Sequence, residues 1–339
     1  MRATLSAILC FVAACSDASN GNSGDDVNEE VDAGGGDGGG SGSADAPDSP
    51  KVINTIFVIP FENKASTQIY GNTNDAPYIN ELIATKAAHA TNFGDALPSL
   101  PSEPHYVWME AGTNQFTDKT FTSDSDASNS NSTASTEHLV TKLTAAGIPW
   151  MSYQEGITSN TCPINSTGHY AAKHNPFVFF RDVVGSPPSE TNTFCAAHHK
   201  SYADFPADLA AGLTGYVFIT PDICNDMHGA FDCPSFLFDG ANIRAGDTWL
   251  ANELPRIIAY TEAHSDAVIF LTWDEGDATN LIPFMAIGNY VKPGYQSTVQ
   301  YSHSSMLASV QKLLGVPMLT TVATSTDLSD MFVPGVVFH

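Results

Sequence analysis

Basic residues are scarce in this 339-residue chain: 13 Lys and Arg stand against 37 Asp and Glu, for a formal charge of −24. A nucleic-acid binder needs a surplus of cations to neutralise phosphates, so that class is excluded. The chain also lacks an apolar run long enough to span a bilayer, a Cys-x-x-Cys pair of the kind thiolate metal sites use, and any internal repeat. Hydrophobic residues make up 42% of it and aromatics 10%, enough for a real core, which excludes disorder throughout.

Met1 and Arg2 precede Leu5, Ala7, Ile8, Leu9, Cys10, Phe11 and Val12, a charged start and an apolar run that read as an export signal. The run ends in Val12-Ala13-Ala14-Cys15, similar to a bacterial lipobox, so residues 1–15 are expected to be a leader ending at an acylated Cys15. The competing reading is an ordinary signal peptide cut after a small residue. Acylation implies a protein of the bacterial cell envelope, held to a membrane by an N-terminal lipid anchor. Residues 16–50 carry nine acids, no Lys or Arg, and the run from Gly34 to Gly40 broken only by Asp37, the composition of a flexible acidic tether. Residues 51–339 suffice for one large globular domain. With Cys10 lost and Cys15 lipidated, Cys162, Cys195, Cys224 and Cys233 remain, and an oxidising compartment allows them three pairings. The sequence-adjacent scheme, Cys162 with Cys195 and Cys224 with Cys233, is the expectation, though sequence alone does not fix it.

Apolar runs of strand length occupy residues 52–59, 150–153, 216–220, 267–272 and 282–287. Most are continuous and not alternating, as in strands buried on both faces. Helical segments lie between them, at 78–88 after Pro77 and at 137–146 before Gly147 and Pro149. A last helix puts Met306, Leu307, Val310, Leu313 and Leu314 on one face and closes at Gly315 and Pro317. The alternation predicts an α/β domain with a mostly parallel central sheet and helices on both faces, its site beyond the carboxyl ends of the strands.

Three strands run into acid-rich turns: Phe61-Glu62-Asn63, Pro221-Asp222-Ile223-Cys224-Asn225-Asp226-Met227-His228, and Trp273-Asp274-Glu275-Gly276-Asp277. One such turn is ordinary, since Asp and Asn cap helices and make turns. Three at one sheet edge would bring carboxylates together, where they repel unless a cation sits among them. Glu62, Asn63, Asp274 and Glu275 form an oxygen-only set suited to a hard divalent metal ion, whose identity the sequence does not choose.

Phe61-Glu62-Asn63-Lys64, Pro101-Ser102-Glu103-Pro104-His105-Tyr106, Ser152-Tyr153-Gln154-Glu155, Lys173-His174-Asn175-Pro176-Phe177, the second and third acidic turns with Thr220 and Thr272, and Tyr301-Ser302-His303 occur in an order that resembles the bacterial phosphoesterase family. That family contains acid phosphatases and phospholipases C and belongs to the alkaline phosphatase superfamily. The resemblance implies an alkaline-phosphatase-like fold, a phosphate ester substrate, and Ser102 as nucleophile and metal contact beside Glu62, Asn63, Asp274 and Glu275. Taken alone, Ser102 between Pro101 and Pro104 would be a turn serine. His228 and His303 are then expected to serve the phosphate or the leaving group, with Asp222 and Asp226 orienting them or holding a second ion, and Lys173 and His174 to contact substrate. His303 opens the last helix, where free N–H groups favour an anion. His105 departs from the pattern, which commonly has a phosphate-binding Asn there, and bears on substrate preference or pH dependence.

The run from Asp124 to Asn131 lacks the Gly and Glu of a calcium loop and is expected to be a mobile polar loop. His198 and His199 match no motif and are expected at the surface. The leading expectation is a membrane-anchored, metal-dependent phosphoric ester hydrolase, an acid-phosphatase-type phosphomonoesterase working through phosphoserine. Its alternatives are a phospholipase C and a non-catalytic cation-binding surface lipoprotein.

Overall fold

The computed structural model describes residues 49–234, 240–276 and 280–339. The leader with Cys15, residues 16–48 of the tether, and Asp277 lie outside them. Among the described residues the strands are β1 (Thr55–Phe61), β2 (Ala88–Ala90), β3 (Phe93–Gly94), β4 (Trp150–Gln154), β5 (His199–Ser201), β6 (Gly215–Thr220), β7 (Ala267–Trp273), β8 (Phe284–Ile287), β9 (Gln296–Ser297) and β10 (Tyr301–Ser302). The α-helices are α1 (Ser66–Ile69), α2 (Pro77–Thr85), α3 (Ser102–Ala111), α4 (Leu139–Ala145), α5 (Arg181–Val184), α6 (Thr193–Ala197), α7 (Phe205–Ala211), α8 (Ala241–Ala263) and α9 (His303–Leu313). None of the described helices is long and apolar enough to cross a membrane.

Eight strands form one sheet in the order β5-β4-β6-β1-β7-β8-β2-β9, and β10 pairs with β3 separately. From β5 to β7 every neighbour is parallel; β8 runs antiparallel to β7 and β2. The continuous apolar runs sit in the middle, where β1, β6 and β7 are buried at every residue. The pleat divides their side chains between two helical layers. Phe57 and Phe61 of β1 meet Phe205 of α7 and Tyr260 and Trp249 of α8 on one face. Phe218, in register with Val58 and so on the other face, meets Tyr106 of α3. The expected α/β sheet with helices on both faces is therefore the fold.

Some element ends differ from expectation. The second helix stops at Thr85 because the chain turns at Lys86 to place Ala88 in β2, opposite Ala286. The 23-residue α8 was not expected: it contains Pro255 and begins after Gly240 without a side-chain cap. Tertiary burial of Leu250, Leu254, Ile257 and Ile258 outweighs those local costs. At the end of α3, Gly112 has φ +65, and a Cβ there would lie 2.4 Å from Val322 Cγ1, so only glycine fits. Both disulfides follow the sequence-adjacent scheme, Cys162–Cys195 and Cys224–Cys233.

Candidate active site

The carboxyl ends of β6, β1 and β7 lie side by side, so the three acidic turns share one edge of the sheet. The turns are stitched through backbone: Glu62 N–H donates to Asp226 O (2.8 Å) and Asp274 N–H to Phe61 O (2.9 Å). Asn63, with φ +51, turns back so that its N–H reaches Asp274 Oδ1 at 2.9 Å, a conformation Asn tolerates better than most residues. Lys64 Nζ donates to Asn63 O (3.1 Å) and Met227 O (3.0 Å), tying the first turn to the second.

Ser102 is the first residue of α3 and is buried. Its hydroxyl donates to Glu62 Oε2 (3.0 Å) and lies 3.4 Å from Glu275 Oε1. Around it, buried polar atoms converge without satisfying one another. His174 Nε2 is 3.2 Å from Glu62 Oε1, and His174 Nδ1 is 3.1 Å from Asp226 Oδ2. Yet Glu62 Oε1, Asp226 Oδ2, Asp274 Oδ2 and His174 Nε2 have no hydrogen-bond partner. Burial, with Asp274 and Asp226 nearby, pushes Glu62 well above the usual carboxylate range. Burial likewise pushes Asp226 up to about 8 and Glu275 up to about 7, and holds His174 well below an ordinary imidazole. Orphaned, mutually repelling groups at this depth are of the kind that a bound cation would satisfy. Ligand atoms of Glu62, His174 and His228 lie within 4.8 Å of one another, as do those of His105, Asp274 and Glu275. The donors fit a divalent cation, with His174 adding an imidazole to the oxygen-only set expected from sequence, a mixture that suits zinc as well as harder ions.

Residues 62–317 match the Phosphoesterase family. The chain belongs to that family. It is 29% identical over 280 residues, 82% of each chain, to a protein of Mycobacterium tuberculosis named phosphatidylinositol-3-phosphatase. It is 27% identical over 254 residues to an acid phosphatase of Aspergillus fumigatus, covering 70% of this chain and 50% of that one. A probable acid phosphatase of Kluyveromyces lactis is 26% identical over 68% of this chain and 55% of its own. The chain thus spans about half the length of these fungal relatives. Among solved structures, an alkaline phosphatase superfamily protein from Vibrio parahaemolyticus shares the fold with a TM-score of 0.54 at 12% identity, over 82% of this chain and 71% of that one. A phosphonate monoester hydrolase from Silicibacter pomeroyi does so at 0.53 and 12%, over 83% and 76%. The protein is a phosphoric ester hydrolase of alkaline-phosphatase-like fold.

The remaining expected residues of this phosphoesterase fall into two groups. His105 is buried with both nitrogens engaged, Nδ1 donating to Pro101 O and Nε2 bonded to Asp95 Oδ1, each at 2.8 Å. Against the cost of burial, Asp95 and the charge of Asp274 hold its pKa up to about 9. His303 Nε2 donates to Trp273 O at 2.7 Å, which leaves Nδ1 as a buried, unpartnered acceptor on a ring that burial keeps neutral, near 4. His228 spends Nδ1 on Gly229 O (2.7 Å), its N–H goes to Asp226 Oδ1 (2.7 Å), and its ring centre lies 5.7 Å from that of His174. Lys173 bonds Asp124 at 2.6 Å.

Asp222 does not join the centre. Its Oδ1 accepts Cys224 N–H, a local turn bond, and its Oδ2 faces His169 at 3.9 Å. His199 corrects the surface expectation: as part of β5 it is buried, with Nδ1 donating to Cys195 O at 2.8 Å. His198 is half-buried and stacks on Trp150. The run from Asp124 to Asn131 is not a free loop either, because Asn131 is buried and bonded to Glu103. Sequence reasoning gave no role to Asp95, Glu103 or Lys64. Lys64 and Glu103 lie inside motifs, a signal that was available; Asp95 follows a two-residue strand too short to register.

Proposed function

We propose that this phosphoesterase is a metal-dependent phosphomonoesterase of the acid-phosphatase type in which Ser102 attacks phosphorus and becomes phosphoserine. The observation that carries this reading is a buried serine hydroxyl at the start of α3, 3.0 Å from Glu62 Oε2, among carboxylate oxygens without partners. A divalent ion held by Glu62, Asn63, Ser102, Asp274 and Glu275 would lower the hydroxyl's pKa and draw charge off the phosphoryl oxygens. Ser102 Oγ loses its proton through its bond to Glu62 Oε2 as it attacks in line. His105 and Lys173 offset charge on the phosphoryl oxygens, while His228 donates a proton from Nε2 to the departing ester oxygen. Water then hydrolyses phosphoserine by the reverse path.

A lipid monoester is the substrate reading favoured by the relative named phosphatidylinositol-3-phosphatase, which matches 82% of each chain. The deciding experiment compares wild type with Ser102→Ala on a soluble aryl phosphate, a phosphatidylinositol monophosphate and a lipid phosphodiester, each with and without chelation. Wild type should release inorganic phosphate from both monoesters, lose activity on chelation and regain it with added metal. Ser102→Ala should lower kcat by at least about 10³-fold with the fold intact. Retained activity removes the serine assignment, and diacylglycerol released from the diester makes the enzyme a phospholipase C.

We also propose that the catalytic domain begins near Lys51 and hangs from an acylated Cys15 by the acidic tether, a reading supported by the leader and tether composition. Cys15→Ser should move the enzyme from the membrane to the soluble fraction; unchanged partitioning refutes the anchor.

A further inference from the structure

Two features stand outside the chemistry at Ser102: the acid beside it, Glu103, and the polar run from Asp124 to Asn131. They are fastened to each other in both directions. Glu103 N–H donates to Asp124 Oδ1 (3.0 Å), while Glu103 Oε2 accepts from Ser125 N–H (2.7 Å) and Asn131 Nδ2 (3.0 Å). Asp124 has a second oxygen, and Oδ2 takes Lys173 Nζ at 2.6 Å. One carboxylate therefore joins the first turn of the helix that carries Ser102 to a lysine whose charge acts on Glu62 and Asp274.

A lysine ammonium sits on a flexible four-carbon stem, and left alone it samples many rotamers. With a side-chain exposure of 21% against 31% for its partner, this pair is neither a solvated surface bridge nor a sealed one. Its fixed end is the α3 amide, so the ammonium keeps register with Ser102 while still open to an incoming anion. We propose that Asp124 is a positioning residue for phosphate binding, presenting Lys173 to the phosphoryl group of the substrate. This rests on the reading of Lys173 as a substrate contact. It gives the polar loop a specific task and accounts for an acid immediately after the nucleophile.

The test uses Asp124→Asn, Lys173→Met and the double variant in the full-length enzyme, assayed with a soluble aryl phosphate and with inorganic phosphate as competitive inhibitor. Asn keeps an oxygen for the Glu103 amide and removes only the charge that fixes Lys173; Asp124→Ser replaces it if the Asn variant accumulates poorly. Lys173→Met should raise KM and the phosphate inhibition constant about tenfold, and Asp124→Asn about fourfold, with kcat falling by less than KM rises. In the Lys173→Met background, Asp124→Asn should add almost nothing, which a general loosening of α3 would not produce. If Asp124→Asn costs as much with Lys173 absent as present, or leaves both constants unchanged while Lys173→Met raises them, the positioning role is overturned. If Lys173→Met changes neither constant, the substrate-contact reading fails first and this inference falls with it.

Discussion

Towards opposite ends of α3 the molecule holds two buried histidines, each between two carboxylates, and they behave in opposite ways. His138 donates to Glu110 Oε1 (2.9 Å) and lies 3.0 Å from both oxygens of Asp182, with its ring stacked on Phe180. Against the cost of burial, those carboxylates hold its pKa up to about 9. His174 lies as close to Glu62 and Asp226, but its Nε2 and the facing oxygens are left unpartnered, and its pKa falls. Proximity of opposite charge is thus not enough. Where donors and acceptors align, as on both His138 nitrogens, only Glu110 Oε2 is left over; where they converge on a common point, several oxygens and a ring nitrogen are left that a cation would satisfy.

The strongest way to break this comparison is at Glu62. On the proposed mechanism, replacing it with Gln weakens a metal ligand and removes the acceptor of the Ser102 proton, so kcat should fall on the order of 10³-fold. The same change relieves carboxylate repulsion, so the thermal midpoint of the chelated protein should rise by about 2–4 °C. A lower midpoint would mean that the centre is a closed structural cluster like that of His138.

At His138 the signs reverse. His138→Gln should destabilise the protein by roughly 3 kcal/mol, read by urea unfolding, with kcat per folded molecule nearly unchanged. The folded pKa of His138 lies above its unfolded value, so its contribution is fully present below about pH 6.5 and is lost as pH rises through 9. Glu110, raised by burial, acts in the same direction. Asp182, held low by His138 despite partial burial, contributes stability that disappears only in acid. His138 should therefore contribute about 2 kcal/mol to the fall in stability between pH 6.5 and pH 9.5, and His138→Gln should reduce the fall by about that much, leaving the part that His105 and Asp226 supply. A parallel loss of activity in the variant would erase the distinction between the two clusters.

The smallest effect sharpens the border of the centre. Asp222→Asn should alter kcat and KM by less than about threefold, since its carboxylate serves its own turn. A loss comparable to that of Glu62→Gln would place Asp222 among the working groups.

The sequence made the centre of the sheet legible because β1, β6 and β7 are continuous apolar runs that each end in an acidic turn. The short strands β2, β3, β9 and β10, of two or three residues, carry too little pattern to be read. The helix α8 was readable in part, since Leu250, Leu254, Ile257 and Ile258 keep helical spacing, but Gly246 and Pro255 interrupt the usual signals. At the site, Ser102, Glu62, Asn63, Asp274 and Glu275 come together as their motif order suggests. What sequence could not give is direction. Asp222 and Asp226 stand four residues apart in one turn, and only the fold decides that Asp226 faces His174 while Asp222 faces His169. His199 likewise looks polar and exposed until β5 pairs it beside Ser152.

The placement of the site at the ends of three central, fully buried strands also bears on how such an enzyme can diversify. Glu62 and Asp274 continue the backbone of β1 and β7, so shifting either means disturbing the centre of the sheet, which selection tolerates poorly. Lys173 and Asp124, by contrast, are carried by a short 3-10 turn and a surface run. Substitutions in that outer ring would therefore change how tightly the phosphoryl group is held while leaving the strands that carry Glu62 and Asp274 undisturbed.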